Sequence, residues 1–321
     1  MSGRFIVTTG RCGSTLLSQL LREHPAVLSL SEFFAVLQSP ALPAFPEGPM
    51  TGEEFWGLLS TPRQEMGAVW QKLCAGPQDH PSPRRRFETP PLLIAALPLL
   101  TADAAALYAE LGRYVRARPP AGAGTHYSGV FGWLCQRLDR AVWVERSGGS
   151  TWFLPDLLRC WPEGRYLHLV RDGRDVAISM SRRPGFRLAV LMADLEQENG
   201  HRRGGDMADA VRNLTSADQV PLERFGEIWA RQVLAAEERL RSLRRDQALL
   251  MRYEDLAADP GRELQRLAEF FELGAETAAG WIRWAARQVE RRQPSWPLLP
   301  GADRGRLEAA CRPGLRLLRY Q

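Results

Sequence analysis

Lysine is nearly absent from this 321-residue chain, because Lys72 is the only one and arginine makes up the rest of the 42 basic residues. Against 37 Asp and Glu residues, the formal net charge is +5. The arginines are spread along the chain rather than gathered in one basic tail. This distribution argues against a nucleic-acid-binding protein, and a basic balance suits a small anionic ligand.

Cysteine and histidine are also scarce, with five of each. Both are widely spaced and neither shows the spacing of metal ligands, so we expect reduced thiols and no metal site. No run reaches the eighteen or so apolar residues of a membrane span, and the N-terminus enters a strand-like run without a signal-peptide pattern. A cytoplasmic protein without a membrane span is therefore expected.

Strand-like and helix-like runs alternate along most of the chain, which predicts an α/β fold with a parallel sheet covered by helices on both faces. Two segments interrupt the alternation. Residues 39–127, rich in proline and alanine, predict a mostly helical insertion, and residues 182–222 predict a lid. We expect one domain over residues 1–321. Four aromatic residues of the insertion are weak candidates for a substrate pocket and stronger ones for core packing: Phe45, Phe55, Trp56 and Trp70.

The first informative turn is residues 9–15 (TGRCGST), between a strand-like run at 5–8 and a helix-like run at 14–23. Backbone N–H groups of such a turn and of a helix N-terminus converge where an anion would bind. The turn therefore predicts a phosphate cradle. A nucleotide triphosphatase loop would carry a lysine after its last glycine, whereas here Arg11 precedes Gly13.

The second informative turn is residues 171–179 (RDGRDVAIS), which follow a strand-like run at 166–170. Arg171 is thereby placed at the carboxyl end of a strand, where ligands bind in α/β sheets. Ser179 follows eight residues later, about two helical turns along. Together the two side chains predict a second phosphate-binding site.

These two turns together resemble those of sulfotransferases that use 3′-phosphoadenosine 5′-phosphosulfate (PAPS). The resemblance implies a P-loop-like parallel sheet. It also implies that Arg171 and Ser179 bind the 3′-phosphate, a group that ATP and GTP lack. The first turn would hold the 5′-phosphate and the sulfonyl group through five residues: Arg11, Cys12, Gly13, Ser14 and Thr15. Cys12 would contribute its backbone N–H rather than a thiolate.

Two further segments resemble the same family. In residues 251–256 (MRYEDL), Tyr253 matches a tyrosine that can lie near the adenine. Residues 291–296 (RRQPSW) are loosely similar to a C-terminal basic loop that closes over the 3′-phosphate. The resemblance leaves open whether Arg291 or Arg292 would be the closing cation.

Sulfuryl transfer to a hydroxyl needs a base and positive charge near the leaving oxygen. Many cytosolic sulfotransferases carry a basic residue and then a catalytic histidine after a central strand. Here Arg146 stands at the basic position and no histidine follows. Other branches, including protein-tyrosine and bacterial trehalose sulfotransferases, use a glutamate that Glu32 matches. The resemblance thus implies Glu32 as general base, with Arg11 and Arg146 stabilising charge, and no metal.

The acceptor implied by the resemblance is the hydroxyl of a small molecule, a sugar or a lipid. The composition suggests a bacterial enzyme, and the exposed helix expected at residues 225–243 offers a surface for a homodimer. Two other functions stay open. A nucleotide-dependent kinase would use Ser14 or Thr15 and Asp172 around magnesium, and a catalytically silent nucleotide-binding protein would keep the fold without turnover.

Overall fold

A computed structural model describes residues 3–39, 42–63, 88–183, 185–187, 189–190, 220–291 and 293–320. Its centre is a five-stranded sheet in the order β2–β5–β1–β6–β7, in which every neighbouring pair is parallel. These strands are β1 Arg4–Val7, β2 Val27–Ser31, β5 Val142–Arg146, β6 Arg165–Val170 and β7 Ala248–Arg252. Two short strands, β3 Pro49–Met50 and β4 Ala121–Gly122, form an antiparallel pair.

Helices connect the strands and cover the sheet. Those of the amino-terminal half are α1 Ser14–Arg22, α2 Gly52–Ser60, α3 Pro91–Ile94, α4 Ala104–Arg116, α5 Ala123–Arg137 and α6 Leu154–Cys160. Those of the carboxyl-terminal half are α7 Gly173–Ser181, α8 Leu222–Arg241, α9 Tyr253–Ala258, α10 Pro260–Phe271, α11 Ala275–Ala286 and α12 Gly301–Leu317. Short 3₁₀ turns occur at Leu97–Leu99, Ser150–Phe153 and Trp296–Leu298.

Both faces of the sheet are buried, in keeping with its mostly apolar strands. Successive strand residues point to opposite faces, so Phe5 and Val7 enter one hydrophobic cluster while Ile6 enters the other. The cluster around Ile6 includes residues of α1, α7, α8, α10 and α11. The cluster around Phe5 includes residues of α2, α4, α5 and α6. The predicted α/β fold with helices on both sides is confirmed.

Core packing, the stronger of the two predictions for the insertion aromatics, is confirmed for the three that are described. Phe45, Phe55 and Trp56 are 6%, 0% and 5% exposed and belong to the cluster around Phe5, while Trp70 lies outside the described residues. They pack rather than line a site, because aromatic burial stabilises this face of the core. Helix α5 extends past the predicted insertion to Arg137. Its glycines lower its helix propensity, but burial of side chains such as Phe131 and Leu134 favours the helix.

The sheet topology places a crevice between β1 and β6. After β1 the chain crosses to β2 on one side of the sheet, whereas after β6 it passes to β7 on the other side. Neighbouring strands whose connections leave in opposite directions open a ligand crevice at their carboxyl ends. The two turns singled out in the sequence, after β1 and after β6, face each other across this crevice.

No single helix among the described residues is long and apolar enough to cross a bilayer, although Pro91–Leu99 and Ala104–Arg116, bent by 113°, pass that test as a pair. Within the same residues, no cluster of His, Cys, Asp and Glu could hold a metal ion.

Most of the lid predicted at residues 182–222 lies outside the described part of the chain. The single-domain assignment stays a prediction.

Candidate functional site

The turn after β1 is shaped to receive an anion. Gly10, Arg11 and Gly13 have positive φ angles of 91°, 60° and 86°. Gly13 is the N-cap of α1 and, having no side chain, leaves the N–H groups of the first helical turn without a side-chain cap. That turn also lacks acidic residues. Free N–H groups and the positive end of the helix dipole therefore favour a phosphate at this position.

Cys12 is buried within the same turn and does not have the properties of a nucleophile. Its Sγ donates to the carbonyl oxygen of Gly10 at 3.1 Å, and it lies 3.3 Å from Oγ1 of Thr9. Burial raises the pKa of the Cys12 thiol. A neutral, enclosed thiol stabilises the turn and leaves only the backbone of Cys12 available to a ligand.

A cavity of about 450 Å³ joins the two turns. Three arginines but only one carboxylate, Glu290, line it, so its charge suits a polyanion. Seven residues predicted from the sequence line this cavity: Arg11, Gly13, Ser14, Thr15, Arg171, Ser179 and Tyr253. The lining residues that the sequence did not indicate are Leu16, Gln19, Arg183, Gln288 and Glu290.

Arg171 is held in place by two neighbours. One of its guanidinium nitrogens, Nη2, lies 3.2 Å from Oδ2 of Asp175, and its guanidinium carbon lies 5.0 Å from the centre of the Tyr253 ring. An ion pair at i,i+4 and a cation–π contact both restrict the side chain. The guanidinium is therefore oriented towards the cavity before any ligand binds.

Asp175 connects parts of the candidate site, and the sequence reasoning missed it. Besides Arg171, it accepts the backbone N–H of Ser295 at 2.7 Å, the hydroxyl of Ser295 at 2.9 Å and the backbone N–H of Trp296 at 3.2 Å. It thus ties the C-terminal segment to the second turn. The i,i+4 spacing from Arg171 indicated the ion pair, but nothing local indicated the contact with residues 120 positions away.

Tyr253 closes the cavity on the side of the first turn. A Cβ placed on Gly13 would lie 2.4 Å from the Tyr253 ring, so the ring covers the glycine directly. The Tyr253 hydroxyl donates to the carbonyl oxygen of Glu290 at 3.4 Å. Contact of Tyr253 with an adenine stays a prediction, although the ring stands beside both turns.

Arg11 extends across the crevice. Its Nε donates to Oγ of Ser179 at 2.9 Å, although the two residues were assigned to different phosphates. This hydrogen bond links the first turn to the helix of the second. A ligand with two phosphates would meet both residues within one cavity.

Glu32 and Arg146 form an ion pair at the ends of β2 and β5, where Ser31 and Arg146 are register partners. The Arg146 side chain is 5% exposed and that of Glu32 is 32% exposed. The other carboxylate oxygen of Glu32 accepts the N–H of Gly148 at 3.0 Å. Arg146 is thus an ion-pair partner of Glu32, and the carboxylate keeps an open side towards solvent.

Gly148 and Gly149 lie between the Glu32 carboxylate and the phosphate turn. A Cβ on Gly148 would lie 3.5 Å from both carboxylate oxygens of Glu32, and a Cβ on Gly10 would lie 3.6 Å from the nitrogen of Gly149. The same segment is tied to β1, because the Thr8 N–H donates to Oγ of Ser150 at 3.0 Å. The two predicted halves of the site, base and phosphate turn, are therefore contiguous.

Arg291 lies in a second cavity of about 270 Å³ that shares Arg171 and Tyr253 with the first. Its other lining residues include Asp175, Gln293 and Trp296. Arg291 is therefore near the second turn, as the loose match implied, whereas Arg292 lies outside the described residues. Closure over a phosphate by either arginine stays a prediction.

Replacing Gly13 by alanine should disrupt the site. A residue with a Cβ is strained at a φ of 86° by roughly 1 kcal/mol, and its Cβ would overlap the Tyr253 ring at 2.4 Å. For adenosine 3′,5′-bisphosphate, the ligand that the sequence resemblance implies, we expect Gly13→Ala to weaken binding by roughly tenfold or more in calorimetry. Gly57→Ala, where the added Cβ has nothing within 4 Å, is the matched control. Unchanged affinity in Gly13→Ala would show that the turn tolerates movement of Tyr253.

A parallel α/β sheet with an uncapped helix N-terminus after its first strand is typical of P-loop-like proteins. Within that class the chain belongs to the sulfotransferase family. The family model described as "Sulfotransferase family" matches residues 5–196, more than half of the chain. A second, described as "Sulfotransferase domain", matches residues 160–285. Both predicted turns lie inside these matches.

A solved structure supports the fold, and two others are similar with TM-scores below 0.5. The sulfotransferase domain from the curacin biosynthetic pathway is similar with a TM-score of 0.53 and 16% identity, over 100% of this chain and 99% of that chain. The sulfotransferase domain of the Synechococcus PCC 7002 olefin synthase has a TM-score of 0.48 and 16% identity, over 100% and 97% of the two chains. Sulfotransferase STF9 from Mycobacterium avium has a TM-score of 0.46 and 16% identity, over 98% and 76%. No curated protein matches the sequence.

Proposed function

We propose that this sulfotransferase transfers the sulfuryl group of PAPS to a hydroxyl group of a small-molecule, sugar or lipid acceptor. The observation that carries the proposal is the cavity shared by the two turns. It offers the N-terminus of α1 to one phosphate and Arg171 with Ser179 to another. A donor with phosphate groups at both the 3′ and the 5′ position of its ribose fits this arrangement. A nucleotide with phosphates at the 5′ position alone would leave Arg171 and Ser179 without a phosphate to bind.

The proposed reaction is an in-line displacement at sulfur. The acceptor oxygen forms a bond to sulfur as its proton passes to the Glu32 carboxylate. The bond between sulfur and the bridging oxygen breaks, and its electron pair leaves with the 5′-phosphate of adenosine 3′,5′-bisphosphate. Arg146, which contacts Glu32, and Arg11, in the phosphate turn, supply positive charge for the oxygens of the transferring group. The scheme requires no metal.

Three residues would hold the donor without taking part in the chemistry. Arg171 and Ser179 would hold the 3′-phosphate, since both line the cavity and Arg171 is already oriented by Asp175. Tyr253 would lie against the adenine. The bacterial and cytoplasmic setting, the homodimer and the single domain stay predictions from the sequence.

Calorimetry without added metal tests the proposal on the wild-type protein. We expect adenosine 3′,5′-bisphosphate to bind at least tenfold more tightly than 5′-AMP, because hydrogen bonds to a charged phosphate contribute about 1.5–3 kcal/mol. Transfer from PAPS to a panel of sugar, phenol and lipid hydroxyls, followed by release of the bisphosphate, would then identify the acceptor class.

Two outcomes would contradict the proposal. Equal binding of the two nucleotides together with magnesium-dependent turnover of ATP would favour the kinase. Tight binding of the bisphosphate with no transfer to any acceptor would favour a silent nucleotide-binding protein.

A further inference from the structure

Glu145 is a carboxyl group at the centre of the sheet that the proposed reaction does not use. It is the second-last residue of β5, pairs in register with Leu30 of β2 and Phe5 of β1, and has 0% exposure. Its Oε2 atom is buried with no hydrogen-bond partner among the described residues. A buried carboxylate normally has a counter-ion or several donors, so the environment of Glu145 is that of a neutral acid.

Ser147 connects Glu145 to the segment that carries Glu32. The Ser147 hydroxyl accepts the N–H groups of Phe34 and Ala35, both at 3.1 Å. It lies 2.5 Å from Oε1 of Glu145. A hydroxyl has one hydrogen, and with two donors already directed at its oxygen that hydrogen points to Glu145. Oε1 is therefore an acceptor, and a proton on Glu145 resides on Oε2.

The backbone of Glu32 needs such support. Its φ of 58° lies in the left-handed region, which is unfavourable for a residue with a side chain. The conformation is held by the Glu32 N–H, which donates to the carbonyl oxygen of Arg146 at 2.8 Å, and by the Ser147 hydroxyl, which accepts the N–H groups of Phe34 and Ala35 just after Glu32. The segment from Glu145 to Gly148 thus sets the position of the Glu32 carboxylate.

The charged groups near Glu145 favour the neutral, protonated form of its carboxyl group. Among the described residues, Glu32 and Arg146 are the charged groups that face it. Arg146 already pairs with Glu32, so an ionised Glu145 would repel Glu32 and compete with it for the same guanidinium. The pKa of Glu145 is raised to about 8, chiefly by burial. The Glu32 charge acts in the same direction, whereas Ser147, Arg146 and the backbone N–H of Phe34 oppose the shift.

We propose that Glu145, as a neutral acid, is a positioning residue that holds the Glu32 carboxylate beside Arg146 through Ser147. This inference rests on the proposed function, because it gives Glu32 the role of base. Glu145 is fully buried and does not line the cavity between the two turns. Its ionisation would weaken the Glu32–Arg146 pair and lower the rate of transfer without affecting the donor cavity.

The test is the pH profile of kcat in the wild type and in two variants. We expect the wild type to lose activity as pH rises through about 8. Glu145→Gln keeps the acceptor for Ser147 and is always neutral, so it should stay within about threefold of the wild type at pH 6.5 and lose the alkaline decline. Glu145→Ala removes the acceptor and should lower kcat roughly 10- to 100-fold, with unchanged binding of adenosine 3′,5′-bisphosphate.

Glu237→Gln is the matched control, since Glu237 is also buried but pairs with His168 at 2.6 Å. It should retain the alkaline decline of the wild type. An alkaline decline in Glu145→Gln equal to that of the wild type would overturn the inference. A large loss of kcat in Glu145→Gln at pH 6.5 would do the same, because it would mean that the ionised form is needed.

Thermal unfolding gives a readout that does not depend on activity. The unfolded chain loses the Glu145 proton as pH rises through the ordinary carboxyl range near ~4.3, whereas the folded protein keeps it until about 8. The protonated form of Glu145 therefore stabilises the fold fully below the carboxyl range. This contribution decreases as pH rises above that range and is lost at about pH 8. The Tm of Glu145→Gln relative to the wild type should rise from pH 5 to 8.

The two kinds of failure can be distinguished. A Tm difference that does not change with pH would overturn the inference even if transfer occurs. A wild type that transfers no sulfuryl group would overturn the proposed function and the role of Glu32, whereas the Tm series would still decide whether Glu145 is neutral.

Discussion

Glu32→Gln should lower kcat for sulfuryl transfer by roughly 10²- to 10⁴-fold, the range that general base catalysis contributes. Glutamine cannot take up the acceptor proton, but it retains an oxygen for the Gly148 N–H, which Glu32 accepts at 3.0 Å. The donor cavity is lined by other residues, so the affinity for adenosine 3′,5′-bisphosphate should stay within about threefold. Initial rates with saturating PAPS and calorimetry of the bisphosphate measure the two effects separately.

Glutamine is a better probe here than alanine. Arg146 is almost fully buried and has Glu32 as its ion-pair partner, so removing the whole side chain would leave a buried cation with no polar neighbour at that position. Glu53→Gln is the matched control, because Glu53 is exposed and forms an exposed pair with Arg116 at 3.4 Å. It should change neither parameter, since exposed pairs contribute little. A kcat for Glu32→Gln within about fivefold of the wild type would remove Glu32 from the role of base.

The sheet and its two turns could be predicted because their determinants are local. Residues 166–170 are apolar apart from His168, and Arg171 follows them directly. Its position at the end of the strand therefore does not depend on distant parts of the chain. The same holds for the glycines at 10 and 13, which allow positive φ angles. Local sequence therefore predicted the strands and helices that flank the two turns.

The contacts that complete the site are not local and could not be predicted in this way. Glu32 and Arg146 are 114 positions apart, and their pairing depends on β2 lying next to β5. A sequence pattern does not specify that adjacency. It also gave no reason to distinguish Glu145, which is buried, from the exposed carboxylates elsewhere. The order of the strands in the sheet determines both the pairing of Glu32 with Arg146 and the burial of Glu145.

Helix formation in the carboxyl-terminal part shows the same limit. Helix α12 contains Pro313 and begins with glycine, so its intrinsic propensity is poor. It packs extensively on α8, with Leu307 and Cys311 buried. Burial of these side chains outweighs the unfavourable propensity, which sequence reasoning without the tertiary partner could not weigh.

Arg171→Ala should abolish most of the preference for a 3′-phosphate. The loss of charge-assisted hydrogen bonds predicts roughly a 10- to 100-fold weaker affinity for adenosine 3′,5′-bisphosphate, with less than threefold change for 5′-AMP, both measured by calorimetry. The variant should fold, because Asp175 retains three donors from Ser295 and Trp296. Arg137→Ala removes an exposed arginine paired with Glu110 at 2.7 Å and should affect neither ligand. Equal weakening of both nucleotides in Arg171→Ala would mean that Arg171 contacts a part they share, and the second turn would then not select PAPS.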